Sequence, residues 1–287
     1  PGDTENPNNY ETSSVLESIG NYAFAYTESL VHITLQEGLR TMGEYAFVGT
    51  ENKRSILPYV TLPTTLTSVG KYAYAYNGLI NITINNKVIS DHMFYENDEL
   101  VDIKVPKQVN SVGDYAFARC DKLKNLTLDE GLNILGNHMF EECNSLVEVT
   151  VPSTIATSKE TDVIGNTMGS YVFANCSGLT NATINTTIIG DHMFYMESTD
   201  ISSLENVNWK TEEITKVGEY AFYNCNELAT LDIPTHIDKI EQYTFYHCEN
   251  FKYVVISANV ESIGIHAFDG CIGVNEDNGN QGLVINS

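Results

Sequence analysis

Apolar residues in this chain return at fixed distances from an aromatic anchor, and polar residues fill the same gaps each time. The anchor stands at Phe24, Phe47, Tyr74, Phe94, Phe117, Phe140, Phe173, Phe194, Phe222, Phe245 and Phe268. Its ten intervals are 23, 27, 20, 23, 23, 33, 21, 28, 23 and 23 residues. Five are 23, and the rest read as that unit with a loop shortened or lengthened. An apolar residue precedes each anchor by five positions, from Ile19 and Met42 through to Ile240 and Ile263. Glycine stands four before the anchor in nine of eleven units, with Ser90 and Glu241 as the exceptions. Glycine recurring at one slot points to a positive φ or to a close approach by the neighbouring coil.

Six residues after the anchor an LxxIxL stretch begins, as in Leu30-Val31-His32-Ile33-Thr34-Leu35 or Leu100-Val101-Asp102-Ile103-Lys104-Val105. Its alternation predicts a short strand with one buried and one wet face. Pro63, Pro106, Pro152 and Pro234 follow directly and end the strand, since proline offers no N–H for a further ladder bond. One strand per unit, stacked at about 4.8 Å, makes a parallel sheet. A period of this size marks a solenoid, because a single unit cannot bury its own apolar face.

Written as one line, the unit reads AFxxCxxLxxIxLPxxxxxIGxYAF, carried by Ala116-Phe117, Leu123, Ile103 and Val217-Gly218-Glu219-Tyr220-Ala221-Phe222. This pattern resembles the BspA-like leucine-rich repeats, over roughly residues 16–274. The resemblance implies a curved, right-handed leucine-rich-repeat solenoid, strand-rich with few helices. It also implies a secreted or surface-attached protein of host-associated bacteria (with relatives in some parasitic protists), in a family linked to adhesion and sharing no catalytic residue. Residues 1–15 are expected to be a disordered or linker lead-in, and 16–287 one solenoid of about eleven repeats. No stretch resembles a signal peptide or reaches the length needed to cross a bilayer.

Charge narrows the partners. With 38 acidic and 15 basic side chains the net charge is −23, which argues against nucleic acid and against anionic lipid. The partner expected is a protein or glycan on a host or cell surface, without membrane insertion, and the chain is expected to be a monomer. No cofactor is expected. Asn275-Glu276-Asp277-Asn278 is the best local calcium candidate, but it lacks EF-hand spacing, and no metal site is expected.

Two sets of residues look chemical and read otherwise. Cys120, Cys143, Cys176, Cys225, Cys248 and Cys271 all stand three after an anchor, in a slot that holds Thr27, Thr50, Asn77, Asn97 and Glu197 elsewhere. A slot shared by Cys, Thr and Asn suits a small side chain capping a turn or packing on the next coil, which favours free thiols. His92, His138 and His192 begin His-Met-Phe triplets two before the anchor, where Tyr stands in seven other units and His266 in the last. That slot wants a flat ring with a polar tip, and the triplets fall in alternate turns, too far apart for one ion.

Enzyme activity is not expected, because the outward carboxylates Asp102, Glu148 and Asp232 lie two or more turns apart, beyond the spacing of a glycosidase pair. The candidate binding surface is the outward sheet face: His32, Thr34, Tyr59, Thr61, Asn81, Thr83, Asp102, Lys104, Asn125, Thr127, Glu148, Thr150, Asn181, Thr183 and Tyr253. Its Thr and Asn columns also fit simple sheet stabilisation, so both roles stay open. The longest insertion, near 153–166, supplies a candidate rim loop with Lys159, Glu160 and Asp162. Tyr26, Tyr76, Tyr95, Tyr195, Tyr223 and Tyr246 are expected to be exposed beside the anchors, and Trp209 to lie in the core or at a bend. A structural spacer and a polysaccharide-acting enzyme are the rival readings.

Overall fold

The computed structural model describes residues 15–50, 57–155, 168–198, 202–209, 214–229, 231–251, 253–271, 274–275, 280–281 and 284–286. The chain winds into a parallel β-solenoid, and among the described residues there is no helix. The predicted strands form its long ladder. Tyr59–Leu62, Asn81–Ile84, Asp102–Val105 and Asn125–Leu128 pair in that order in one sheet, and Glu148–Val151, Asn181–Ile184 and Asn206–Trp209 in a second. Pairing is in register with the repeat, Val60 opposite Ile82 and Ile103 opposite Leu126. Inward Val, Ile and Leu therefore stack on one another while outward Asn and Thr do the same. Trp209 takes the register position opposite Ile184.

A second ladder joins the first. Two-residue strands run through Ser18–Ile19, Thr41–Met42 and Ser68–Val69, and recur in pairs at Ser111–Val112 with Ile134–Leu135, Ile188–Ile189 with Lys216–Val217 and Lys239–Ile240 with Ser262–Ile263. Each carries one apolar residue at the slot five before the anchor; from Ile19 to Ile240 that residue is buried, and Ile263 in the last strand is exposed. Two residues are too few to show alternation in a sequence, which is why only the longer strand is legible there.

The third edge of each coil carries the anchor and is not a strand. Backbone N–H groups two before, at, and two after the anchor donate to carbonyls of the following coil: Tyr115 to Asn137 (2.8 Å), Phe117 to Met139 (3.0 Å) and Arg119 to Glu141 (2.8 Å). This route needs left-handed backbone. All eleven residues of the Tyr/His slot, Tyr22 to His266, have φ between 53° and 59°, and Tyr26, Tyr76, Glu96, Arg119, Glu142, Asn175, Asn224 and His247 repeat it two after the anchor. Each costs about 1–2 kcal/mol. The inter-coil hydrogen bond offsets about 0.5–1.5 kcal/mol of that, and ring stacking contributes a similar amount.

The recurrent glycine is therefore not the left-handed residue. Its role is close approach: a Cβ on Gly113 would meet Asp91 N at 2.4 Å and Ser90 C at 2.6 Å in the preceding coil. Inside the three edges lies one continuous core. The anchor rings form a column with centroids 4.8–5.9 Å apart and planes within 19° of parallel. Burying each ring contributes about 1.5–3 kcal/mol. At the C-terminal end Val274–Asn275 and Asn280–Gln281 pair antiparallel, and Val284–Asn286 adds in parallel to Tyr253–Val255.

Candidate binding surface

The outward residues of the long ladder form two columns running along the solenoid. Tyr59, Thr61, Asn81, Thr83, Asp102, Lys104, Asn125, Thr127, Glu148 and Thr150 are all exposed, and Asn181 and Thr183 are half-buried in the same columns. Their alternation with buried Val, Ile and Leu fixes which way they face, so the structure brings these predicted residues together on one surface. His32 and Thr34 are exposed and lie 3.2 Å apart, Oγ1 to Nε2, but belong to no strand. Among the described residues Tyr59–Leu62 pairs with Asn81–Ile84 and not with the first LxxIxL stretch. Tyr253 lies in a strand opposite Val284. Lys159, Glu160 and Asp162, most of the 153–166 insertion, and Glu276, Asp277 and Asn278 of the calcium candidate lie outside the described residues.

Neighbouring rungs of the face are tied by side chains. Asn125 Nδ2 donates to Asp102 Oδ1 (2.5 Å) and Asn206 Nδ2 to Asn181 Oδ1 (3.0 Å). Lys104 Nζ sits 3.0 Å from Asp129 Oδ2, so its charge is balanced within the face. Across the rungs from Asn81 to Thr127 lies a shallow open depression of about 470 Å³. Gln108, Pro106 and Asn85 line its edge; Gln108 Nε2 donates to Ile84 O at 3.2 Å. These edge residues directly follow the strands, and only the three-dimensional path of the chain reveals that they flank the depression.

The eye-catching residues lie elsewhere, and each has a structural task. The Tyr/His slot is one column of eleven rings, stacked from Tyr22 to Tyr243 and tilted at His266, with successive centroids 4.1–5.0 Å apart. Tyr115 and Tyr171 separate His92, His138 and His192, so no two of these imidazoles are neighbours. Nδ1 of His138 contacts Glu141 and that of His266 contacts Asp269, both at 2.9 Å. Nδ1 of His92 and of His192 is buried without a partner, and burial holds both imidazoles below their ordinary pKa. Among the described residues no group of three or more His, Cys, Asp or Glu could hold a metal ion.

The cysteine slot behaves as its exchange with Asn and Thr predicts. Thiols at Cys143, Cys176, Cys225 and Cys248 donate to the anchor carbonyl of the preceding coil, at 3.1–3.3 Å. The Nδ2 groups of Asn77 and Asn97 donate to the equivalent carbonyls of Phe47 and Tyr74. None of the six cysteines is in a disulfide. Burial pushes the Cys143 thiol up and that of Cys176 up to about 12, while a hydrogen bond from Cys248 lowers Cys271. The tyrosines beside the anchors depart from expectation. Tyr26 is exposed, but the other five are half-buried because they pack on one another or on the ring column, as in Tyr76 against Tyr95 (5.5 Å) and Tyr223 against Tyr246 (4.7 Å).

Comparison with known proteins agrees with this geometry. A family model described as the BspA type leucine rich repeat region matches in 6 copies, over residues 3–88, 50–161 and 166–283. Comparison with curated proteins finds no match. Among solved structures, a leucine-rich repeat protein from Bacteroides ovatus superposes with a TM-score of 0.68 at 23% identity, covering 94% of this chain and 76% of that one. The pneumococcal vaccine antigen PcpA gives 0.55 at 18% identity, with 97% and 74% covered. A leucine-rich repeat protein from Eubacterium ventriosum gives 0.52 at 17%, with 82% and 81% covered. At such identities the likeness concerns the fold alone.

Proposed function

This chain belongs to the BspA-type leucine-rich repeat family, and from that premise we propose that it is a non-catalytic binding module of an exported or cell-surface protein. It recognises a host or matrix protein, or a glycan, through the outward face of its long ladder. The observation that carries this reading is the division of labour within each coil. His, Cys and ring residues of the anchor edge are stacked or turned into the rod, whereas Asn81, Thr83 and Thr127, with Asp102, Lys104 and Asn125 that also bridge neighbouring coils, project from strands into open solvent. A binding site on such strands needs little ordering when a ligand arrives, which limits the entropy lost on association. Loops that lengthen the repeat at its rim, 153–166 above all, are a second contact region.

The test is a binding screen of the intact chain against extracellular-matrix proteins and glycans, repeated with Thr83→Lys plus Asn125→Lys and, separately, with 153–166 deleted. Loss of binding in the lysine variant supports the sheet face, and loss only on deletion moves the site to the rim. A chain that binds nothing in the screen is a spacer between other parts of a surface protein, and the proposal fails.

A further inference from the structure

The ligand class can be narrowed, resting on the sheet-face reading above: we infer that the depression over rungs Asn81 to Thr127 takes an extended, uncharged glycan lying along the solenoid axis. Protein-binding surfaces concentrate their energy in Trp, Tyr and Arg anchors set in desolvated pockets. The ladder from Asn81 to Thr150 turns none of these outward; its side chains are amides, hydroxyls and a few charged groups. The nearest large aromatic is Tyr59, 60% exposed at one end of the face, where a ring can cover a terminal sugar.

Amide and carboxylate groups offer planar partners for paired sugar hydroxyls on every rung, at Asn81, Asp102 and Asn125, and rotatable hydroxyls stand on the outer two, at Thr83 and Thr127, with Lys104 between them. The rung spacing of about 4.8 Å is close to the repeat of an extended sugar chain, so successive residues of such a chain each meet an amide or a carboxylate. Charge selects the neutral class. The chain carries −23 overall, which repels an acidic polysaccharide. Locally Lys104, the cation among the residues that line the depression, is balanced by Asp129. The depression is open and about 470 Å³ in volume, which fits a chain passing through and not a buried single sugar.

The experiment is calorimetric titration of the intact protein with cello- and xylo-oligosaccharides from dimer to hexamer. Malto-oligosaccharides serve as coiled comparators and oligogalacturonates as charged ones. Affinity should rise with length up to the span of the depression and then level off, with the coiled and charged series weaker. Thr83→Val and Thr127→Val, which keep shape and remove a hydroxyl, should each weaken binding about tenfold, the loss of one hydrogen bond. Ser111→Ala, exposed on the second ladder, should leave binding unchanged. No binding by the extended neutral series, no dependence on length, or indifference to both valine variants would overturn the inference. If a protein ligand is lost in the lysine variant while no glycan binds, the glycan class is wrong and the sheet face stands. If neither class binds, both fall.

Discussion

Two of the three edges of each coil are built from different materials, and they behave as different kinds of surface. On the anchor edge eleven Tyr or His residues adopt left-handed backbone and stack into one column, the anchors stack beneath them, and thiols or amides close the turn on the preceding carbonyl. On the ladder face the outward residues range over Tyr, Asn, Asp, Lys, Glu and Thr with no change in backbone. The lesson is that restricted identity marks the edge that holds the rod together, and freedom of identity marks the face open to a partner. Chemically suggestive residues gather on the first, where they are already used.

The most severe way to probe that contrast is to remove an interior ring. Phe117 is fully buried between Phe94 (5.2 Å) and Phe140 (5.4 Å). Phe117→Ala should cost about 3–5 kcal/mol in urea unfolding, whereas Phe24→Ala, half-buried at the first rung, should cost clearly less. Equal losses would mean that the column is not cooperative packing. Gly113→Ala comes next, at about 1–3 kcal/mol, because its Cβ meets backbone atoms of the preceding coil. Gly20→Ala, with nothing within 4 Å, should be close to neutral in the same assay.

A gain is expected where the anchor edge is imperfect. Tyr74 is fully buried in the anchor column and, among the described residues, its hydroxyl has no partner. Tyr74→Phe should raise stability by about 1 kcal/mol, and a loss would reveal a bond made by that hydroxyl. Acid acts on the same edge. Burial depresses His92 and His192 below 6.5, so the unfolded chain takes up those protons before the folded one does. Stability present above pH 6.5 is therefore lost as pH falls through the folded-state values. His92→Tyr with His192→Tyr should flatten the fall in urea midpoint between pH 7.5 and 5, and an unchanged slope would assign the acid response to the carboxylates. The smallest stability effect belongs to the other surface: Thr127→Val should stay within about 0.5 kcal/mol of wild type while altering ligand binding.

Much of this was legible without coordinates. The equal spacing of Phe94, Phe117 and Phe140 announces a column, and the exchange of Cys143 with Asn97 or Thr27 at one slot announces a shared task. The alternation of Asn125-Leu126-Thr127-Leu128 tells which side chains face out. The two-residue strands, the left-handed tyrosines, the stray first stretch at His32 and Thr34, and the packing of Tyr95 and Tyr223 were not. The slots of the first two recur in the sequence, but the backbone adopted at each slot depends, like the rest, on what the next coil presents.

Chain length per turn, and hence which residues become neighbours, is written covalently, and a sequence repeated at that length can close its apolar face in only one way. Whether glycine at a slot serves φ or proximity, and whether a histidine or a hydroxyl is spent on packing or left for a ligand, was decided by the coils meeting. Donors, acceptors and van der Waals surfaces a few ångströms apart select among conformations that the isolated unit leaves nearly equal in energy.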